Sequence, residues 1–150
     1  MDASCLLFDK NKELVDLVYY GHKASNDASV EHSGDNLTGD GEGDDESITV
    51  DLTKLPEEVC YLAFTINSFR GQTFEEVDNA FCRLMDVSTE HEKELCRYVL
   101  SEYGCYTAVI MMLLKRQFKE EQNYWQITAL GEMAHGKTAR DIVEDVHEVL

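Results

Sequence analysis

The sequence feature that most limits the fold is a stretch of alternating acids and glycines at residues 34–46, Gly-Asp-Asn-Leu-Thr-Gly-Asp-Gly-Glu-Gly-Asp-Asp-Glu. Low hydrophobicity and high charge are typical of disorder, which makes a solvated acidic linker one interpretation. Glycines also let a chain turn tightly enough to aim several oxygen atoms at one cation. The stretch therefore predicts either an ordered cation-binding loop or a disordered insertion.

The residues that follow favour the ordered loop. Residues 47–52 alternate apolar and polar side chains, with Ile48, Val50 and Leu52 on one side, which is the period of a half-buried strand. This strand pattern begins immediately after the acids. We therefore expect residues 34–46 to be an acidic metal-binding loop within a folded domain.

Length and composition limit the possible partners. The 150 residues, of which 43% are apolar, predict one domain over residues 1–150 with a single core. Thirty acids against thirteen bases give a formal charge of −17, and nine of those acids lie in residues 24–53, where there is no Lys or Arg. Such a charge repels nucleic acid and anionic membranes and favours cations. We expect no nucleic-acid binding, and no membrane insertion because no apolar run approaches the roughly 20 residues of a span.

The cysteines indicate the compartment. Cys5, Cys60, Cys82, Cys96 and Cys105 are odd in number, lack Cys-x-x-Cys spacing and each sit in an apolar run. This pattern predicts buried, reduced thiols of an intracellular protein. The N-terminus also lacks the basic start of a signal peptide. We therefore expect a cytoplasmic protein.

Apolar runs separated by turn residues recur along the rest of the chain. Residues 4–8 and 13–20 predict an early hairpin around a turn at 9–12. Further strands are predicted at residues 59–67, 80–87, 94–100, 105–118 and 123–130. Many short strands with turns at regular spacing predict a mainly β protein, a β-sandwich with short helices.

Two helices are predicted. Residues 73–79 begin with Thr-Phe-Glu-Glu, which has the spacing of a capping box. Residues 138–150 place Ile142, Val146 and Val149 on one side at helical spacing. The second pattern predicts a C-terminal amphipathic helix capped by Thr138.

The donor atoms of the acidic stretch fit calcium best. Calcium takes about six to eight oxygen ligands in a flexible shell, whereas magnesium demands a stricter octahedron. Six carboxylates lie between residues 34 and 46, and one divalent ion cancels only two of their charges, so one or two ions are expected. The spacing is not that of an EF-hand, because Asp45 stands where that loop needs Gly and Asp51 where it needs Glu.

A second motif predicts a different function. Residues 131–138, Gly-Glu-Met-Ala-His-Gly-Lys-Thr, match the phosphate-loop pattern and stand between a predicted strand and a predicted helix. Lys137 and Thr138 would then bind nucleotide phosphates. Against this interpretation, the surrounding pattern predicts an antiparallel sheet, and Glu132 would place a carboxylate beside the phosphates. A nucleotide-binding protein stays an alternative, as does a purely structural interaction domain.

Several short motifs of the sequence resemble motifs of the TerD family of tellurium-resistance and general stress-response proteins. They include Asp-Ala-Ser from Asp2, Val-Glu-His-Ser-Gly-Asp-Asn-Leu-Thr-Gly from Val30 and Gly-Asp-Asp-Glu from Gly43. Arg-Gly-Gln-Thr-Phe from Arg70 and Asn-Ala-Phe-Cys-Arg from Asn79 also match. The resemblance extends over essentially the whole chain.

The resemblance implies a cytoplasmic, calcium-binding β-sandwich without a catalytic centre, acting in resistance to tellurite and other chemical stress. On this basis we expect the ion to order the acidic loop, which then supports contacts with protein partners. The implied metal ligands are Asp2, Asp35, Asn36, Asp40, Glu42, Asp44 and Asp45, with Glu46 a weaker candidate.

The chain departs from the family pattern at its N-terminus. Family members usually carry further strands, ending in a Gly-Trp-Asp word, before the segment that matches Asp2, whereas this sequence starts at Met1. The missing strands would leave a sheet edge or core surface uncovered, which favours a homodimer. They would also remove a metal ligand if one lies there, which leaves the number of ions open.

Overall fold

The computed structural model describes residues 2–33, 46–68, 73, 81–99, 106–119 and 122–150. These residues form a mainly β structure that ends in a 3₁₀ turn (Ala139–Ile142) and a short helix, α1 (Val143–Val149). The strands are β1 (Asp2–Phe8), β2 (Leu14–Val18), β3 (Val30–His32), β4 (Ile48–Val50), β5 (Tyr61–Asn67), β6 (Phe81–Asp86), β7 (Lys93–Val99), β8 (Ala108–Lys119) and β9 (Gln122–Ala134).

The centre of the fold is a five-stranded antiparallel sheet in the order β2-β1-β5-β8-β9. β1 and β2 form the predicted hairpin. Their turn is held by Asp9, whose Oδ1 accepts the backbone N–H groups of Asn11 at 2.8 Å and Glu13 at 3.0 Å. β5 lies between β1 and β8, with Asp2 opposite Asn67 at one end of the ladder.

Both faces of the central sheet are covered. One face packs against the C-terminal segment, and the other packs under two separate two-stranded sheets, β3-β4 and β6-β7. Burial on both faces explains why residues 108–114 of β8 are continuously apolar, because side chains on either side of this strand are buried. The predicted β-sandwich is confirmed, with a helix added to its outer face.

The predicted C-terminal amphipathic helix is confirmed, although its first turn is 3₁₀ rather than α. Thr138 stands at the N-cap position. Ala139, Ile142 and Val146 are buried against the sheet, as the spacing of the apolar residues predicts. Among the described residues, no helix is long and apolar enough to cross a membrane.

The strand boundaries differ clearly from the predictions in three places. The strand predicted at residues 47–52 is shorter, since β4 covers only Ile48–Val50 and Leu52 lies in an exposed turn after it. β3 lies within residues 21–33, a polar stretch that predicts a connection between strands rather than a strand. It has only three residues, too few to show an alternating pattern. β9 continues past residue 130 to Ala134. A bulge lies within this extension: the register with β8 shifts between Ile110 and Met112, and Gly131 adopts a φ of 68°. The predicted helix at 73–79 lies outside the described residues apart from Thr73.

The thiols are reduced but unequally buried. Cys5 is buried, whereas Cys60, Cys82 and Cys96 are half-buried, and all four are free. Burial raises the pKa of Cys82 to about 12 and that of Cys5 further still. The prediction that every cysteine is buried is therefore wrong for three of the four that are described; Cys105 lies outside these residues.

Candidate metal site at the base of the acidic stretch

The acidic stretch is bracketed by an antiparallel ladder. β3 and β4 pair with Val30 opposite Val50 and His32 opposite Ile48. Beyond His32, the backbone N–H of Ser33 donates to the carbonyl oxygen of Ser47 at 2.8 Å, and the Ser47 N–H donates to Ser33 Oγ at 2.9 Å. The chain therefore leaves this ladder at Ser33 and returns to it at Ser47, so the two ends of the stretch are held side by side.

Glu46 ties the returning end to the central sheet. Its Oε2 accepts the backbone N–H of Ala3, the second residue of β1, at 2.8 Å. The same oxygen lies 3.5 Å from Nε2 of His32, whose side chain is fully buried. One carboxylate thus contacts β1 and β3 at the point where β4 begins. These contacts join residues that are far apart in the sequence, so no local pattern predicts them.

The structure places one of the seven predicted ligands beside this junction. Asp2 is half-buried at the first position of β1, next to the residue whose N–H bonds Glu46. The other six predicted ligands lie outside the described residues: Asp35, Asn36, Asp40, Glu42, Asp44 and Asp45. Glu46, the weaker candidate, is described and is engaged with Ala3 and His32.

The ligands predicted from the sequence would suit a hard cation. The predicted donors are carboxylate and amide oxygens, which calcium prefers, and none is a thiolate. Within the described part of the chain, no group of three or more His, Cys, Asp or Glu side chains is placed to hold a metal ion. A metal site here would therefore depend on side chains from residues 34–45 together with Asp2.

The phosphate-loop interpretation of residues 131–138 does not fit the structure. The first four of these residues belong to β9, which pairs antiparallel with β8. The N–H groups of Lys137 and Thr138 donate to Asp141 Oδ2 at 3.0 and 3.1 Å, and that of Gly136 donates to Thr107 Oγ1. The donors that a phosphate would need are occupied, and a carboxylate stands in the position of the phosphate.

A second group of carboxylates has a structural role that the sequence did not predict. Asp16 Oδ2 accepts the N–H of Asn26, and its Oδ1 lies 3.2 Å from Nε2 of His22. Asp27 Oδ1 accepts the hydroxyl and backbone N–H of Ser29. These hydrogen bonds hold the connection between β2 and β3, and the Ser29 contacts lower the pKa of Asp27.

Comparison with known proteins matches nearly the whole chain to one protein family. The model of the TerD domain matches residues 1–145. The tellurium resistance protein TerZ of Serratia marcescens is 45% identical over 146 residues, which cover 97% of this chain and 72% of that protein. The stress response protein SCP2 of Bacillus subtilis (strain 168) is 36% identical over 148 residues, covering 95% of this chain and 72% of the relative.

A solved structure shares the fold. The crystal structure of a homologue of the telluride resistance protein TerD from Streptomyces coelicolor A3(2) superposes with a TM-score of 0.80. The match covers 95% of this chain and 82% of that one, at 17% sequence identity. At this identity the likeness supports the β-sandwich architecture alone.

Proposed function

Because this chain belongs to the TerD domain family, we propose that it is a calcium-binding, non-enzymatic module of a cytoplasmic response to chemical stress, of the tellurite-resistance type. Calcium binds the carboxylates of residues 34–46 together with Asp2 and orders the stretch, which then contacts protein partners. The observation that supports this most strongly is that Ser33 and Ser47 hold the two ends of the acidic stretch side by side, while Glu46 bonds to Ala3 of the first strand.

The junction favours a metal site for an entropic reason. Bringing the two ends of a flexible loop together has a cost that grows with its length. The β3-β4 ladder and the Glu46 contact already hold the two ends together in the folded protein, so ion binding does not have to close the loop. Binding of an ion then has to order only the residues between Ser33 and Glu46.

The charge of the stretch favours a divalent ion, and the geometry of its ligands favours calcium among such ions. Its six carboxylates repel one another, and a divalent ion relieves part of that repulsion. Calcium tolerates an irregular shell of oxygen ligands, whereas magnesium keeps its waters and demands an octahedron. We therefore expect calcium to bind more tightly than magnesium at equal concentration.

Titration calorimetry together with thermal unfolding tests the proposal. Calcium is expected to release or absorb heat with a stoichiometry of one or two ions and to raise the melting temperature above that in excess chelator. An ion present at about 100 times its Kd adds roughly 2.7 kcal/mol to the free energy of unfolding. No heat and an unchanged melt would contradict calcium binding and leave a purely structural interaction domain.

A matched pair of double variants assigns the site. Asp44→Asn with Asp45→Asn removes two negative charges from the acidic stretch and is expected to abolish most of the stabilisation by calcium. Glu57→Gln with Glu58→Gln removes two negative charges from an exposed turn and is expected to leave calcium binding unchanged. Equal losses in both variants would indicate a general charge effect rather than specific ligands.

The role of Asp2 is tested separately. Asp2→Asn keeps the shape of the side chain at the start of β1 but removes its charge. It is expected to lower calcium affinity while the melting temperature in chelator stays close to that of the unaltered protein. Unchanged affinity would remove Asp2 from the ligand set and leave the proposal for residues 34–46 intact.

The stress role rests on the family and on the names of the relatives. Disrupting the gene in its own host is expected to lower growth in tellurite or an oxidant, and re-expression is expected to restore it. The Asp44→Asn, Asp45→Asn variant is expected not to restore growth, since it lacks the ion. Normal growth of the disrupted strain under every such stress would contradict this part of the proposal.

A further inference from the structure

Strand β9 is a long edge with almost no charge. It runs over Gln122–Ala134, thirteen residues with no proline and a single charged side chain, Glu132, in a chain of which 29% of residues are charged. β8 pairs with it on one side, and no other strand of the described residues pairs with it on the other. Its outer backbone N–H and C=O groups therefore face away from the sheet.

The opposite edge of the sheet shows the usual protection. Edge strands are normally short, charged or interrupted, because an open row of backbone donors and acceptors pairs with other chains. β2 has five residues, with Asp16 at its centre. β9 has neither a short length nor a central charge. The two edges of the sheet therefore differ in strand length and charge, the properties that protect an edge against pairing with another chain.

Three large apolar side chains of β9 are exposed, among exposed polar ones such as Gln126 and Thr128. Tyr124 is 47% exposed, and Ile127 and Met133 are each 44% exposed. The register with β8 is unbroken from Gln122, opposite Lys119, to Ala129, opposite Met112. Eight consecutive residues thus form a regular strand edge before the bulge, long enough for another strand to pair along it.

We propose that this edge binds a second copy of the chain, with β9 of one copy antiparallel to β9 of the other. A two-fold axis normal to the sheet would join the two five-stranded sheets into one of ten strands. Such an interface is isologous, and the pairing therefore stops at a dimer. Pairing β9 with β2 of another copy would instead leave edges open at both ends and would bring Asp16 into the ladder.

Net charge favours a second copy at this surface. Each copy carries −17, so most ways of bringing two copies together place acids against acids. The strand between Gln122 and Ala129 carries no formal charge. Two copies can therefore meet along these eight residues without placing acids directly against acids, whereas a basic partner would find no carboxylate among them to pair with.

Sedimentation velocity of the full chain over a range of concentrations tests the proposal. The mass is expected to rise from one copy to two, and added salt is expected to shift association to lower concentration by screening the repulsion between copies. Ile127→Lys and Thr128→Lys place a charge on the edge and are expected to weaken association at least tenfold. Val87→Lys, at a position 55% exposed outside the strands, makes the same change in net charge and is expected to associate normally.

The outcomes separate this dimer from the alternatives. Adding a lysine lowers the magnitude of the net charge, so weaker association of the edge variants cannot come from greater overall repulsion. Thermal unfolding of each variant checks that it is folded, and slower amide exchange in β9 at high concentration would locate the contact. The proposal fails if the chain stays monomeric up to about 1 mM, if the three variants behave alike, or if assemblies grow beyond two copies.

Discussion

At the scale of single residues, Asn67 links the end of the central strand β5 to the C-terminal segment. Its side chain is almost fully buried. Its amide Nδ2 donates to the carbonyl oxygens of Gly136 and Thr138, both at 3.0 Å. These two carbonyls belong to the turn that aims the C-terminal helix at the sheet, so one side chain fixes where that helix starts.

Replacing Asn67 should therefore destabilise the protein. Asn67→Ala is expected to lower the free energy of unfolding by about 1–3 kcal/mol, because the half-buried carbonyl of Gly136 loses the amide donor and that of Thr138 keeps only the N–H of Asp141. Asn67→Asp should cost more at neutral pH, since a carboxylate would face two carbonyl oxygens. Urea unfolding measures both. Gln117→Ala is the control, because its hydrogen bond to Gln126 is exposed, and it should change the free energy by less than about 0.5 kcal/mol.

Asp27 gives a prediction about pH. The hydroxyl and then the backbone N–H of Ser29 bond to its carboxylate and lower its pKa. A carboxylate with a lowered pKa adds stability above its unfolded pKa, about 3.9, and this stability is lost as the pH falls through the folded value. Ser29→Ala is expected to raise the pKa of Asp27 in an NMR titration. Asp51, whose pKa is lowered by Thr53, should not move, and a shift in both would indicate global loosening.

At the scale of elements, the C-terminal helix covers one face of the central sheet. Ile142 and Val146 are both fully buried against strands β1 and β8. Ile142→Ala is expected to lower the free energy of unfolding by about 2–5 kcal/mol, because it leaves a cavity in a packed core. Glu144→Ala, on the exposed side of the same helix, should change it by less than about 0.5 kcal/mol. Similar losses in the two variants would mean that the helix does not pack as described.

The elements also show what the sequence could and could not predict. β8 and the C-terminal helix have long, regular apolar patterns, and both were predicted within a few residues. β3 has three residues and no visible period, so only its pairing with β4 defines it. The resemblance to the TerD family implied Asp2 as a ligand, whereas nothing implied the contact between Glu46 and Ala3, which joins residues 43 positions apart. Local pattern carries no information about such a contact.

At the scale of the whole molecule, the net charge of −17 opposes folding. Raising the salt concentration from about 0.01 M to 0.15 M shortens the screening length from about 30 to about 8 Å. The free energy of unfolding is therefore expected to rise with sodium chloride, and to rise further with calcium at matched ionic strength if residues 34–46 bind the ion. Urea unfolding followed by the fluorescence of Trp125 measures both effects. A decrease with salt would show that favourable ion pairs outweigh the repulsion.

The position of β5 has a consequence for how the molecule folds. Strands β1 and β2 are neighbours in the sequence, as are β8 and β9, so each pair can form as a local hairpin. β5 has no such partner: Leu62 lies opposite Leu7 on one side and Leu114 on the other. Both contacts close long stretches of chain, which makes this step slow. During synthesis β1 can pair with β5 once β5 has emerged from the ribosome, but the other edge of β5 stays open to chaperones until β8 follows.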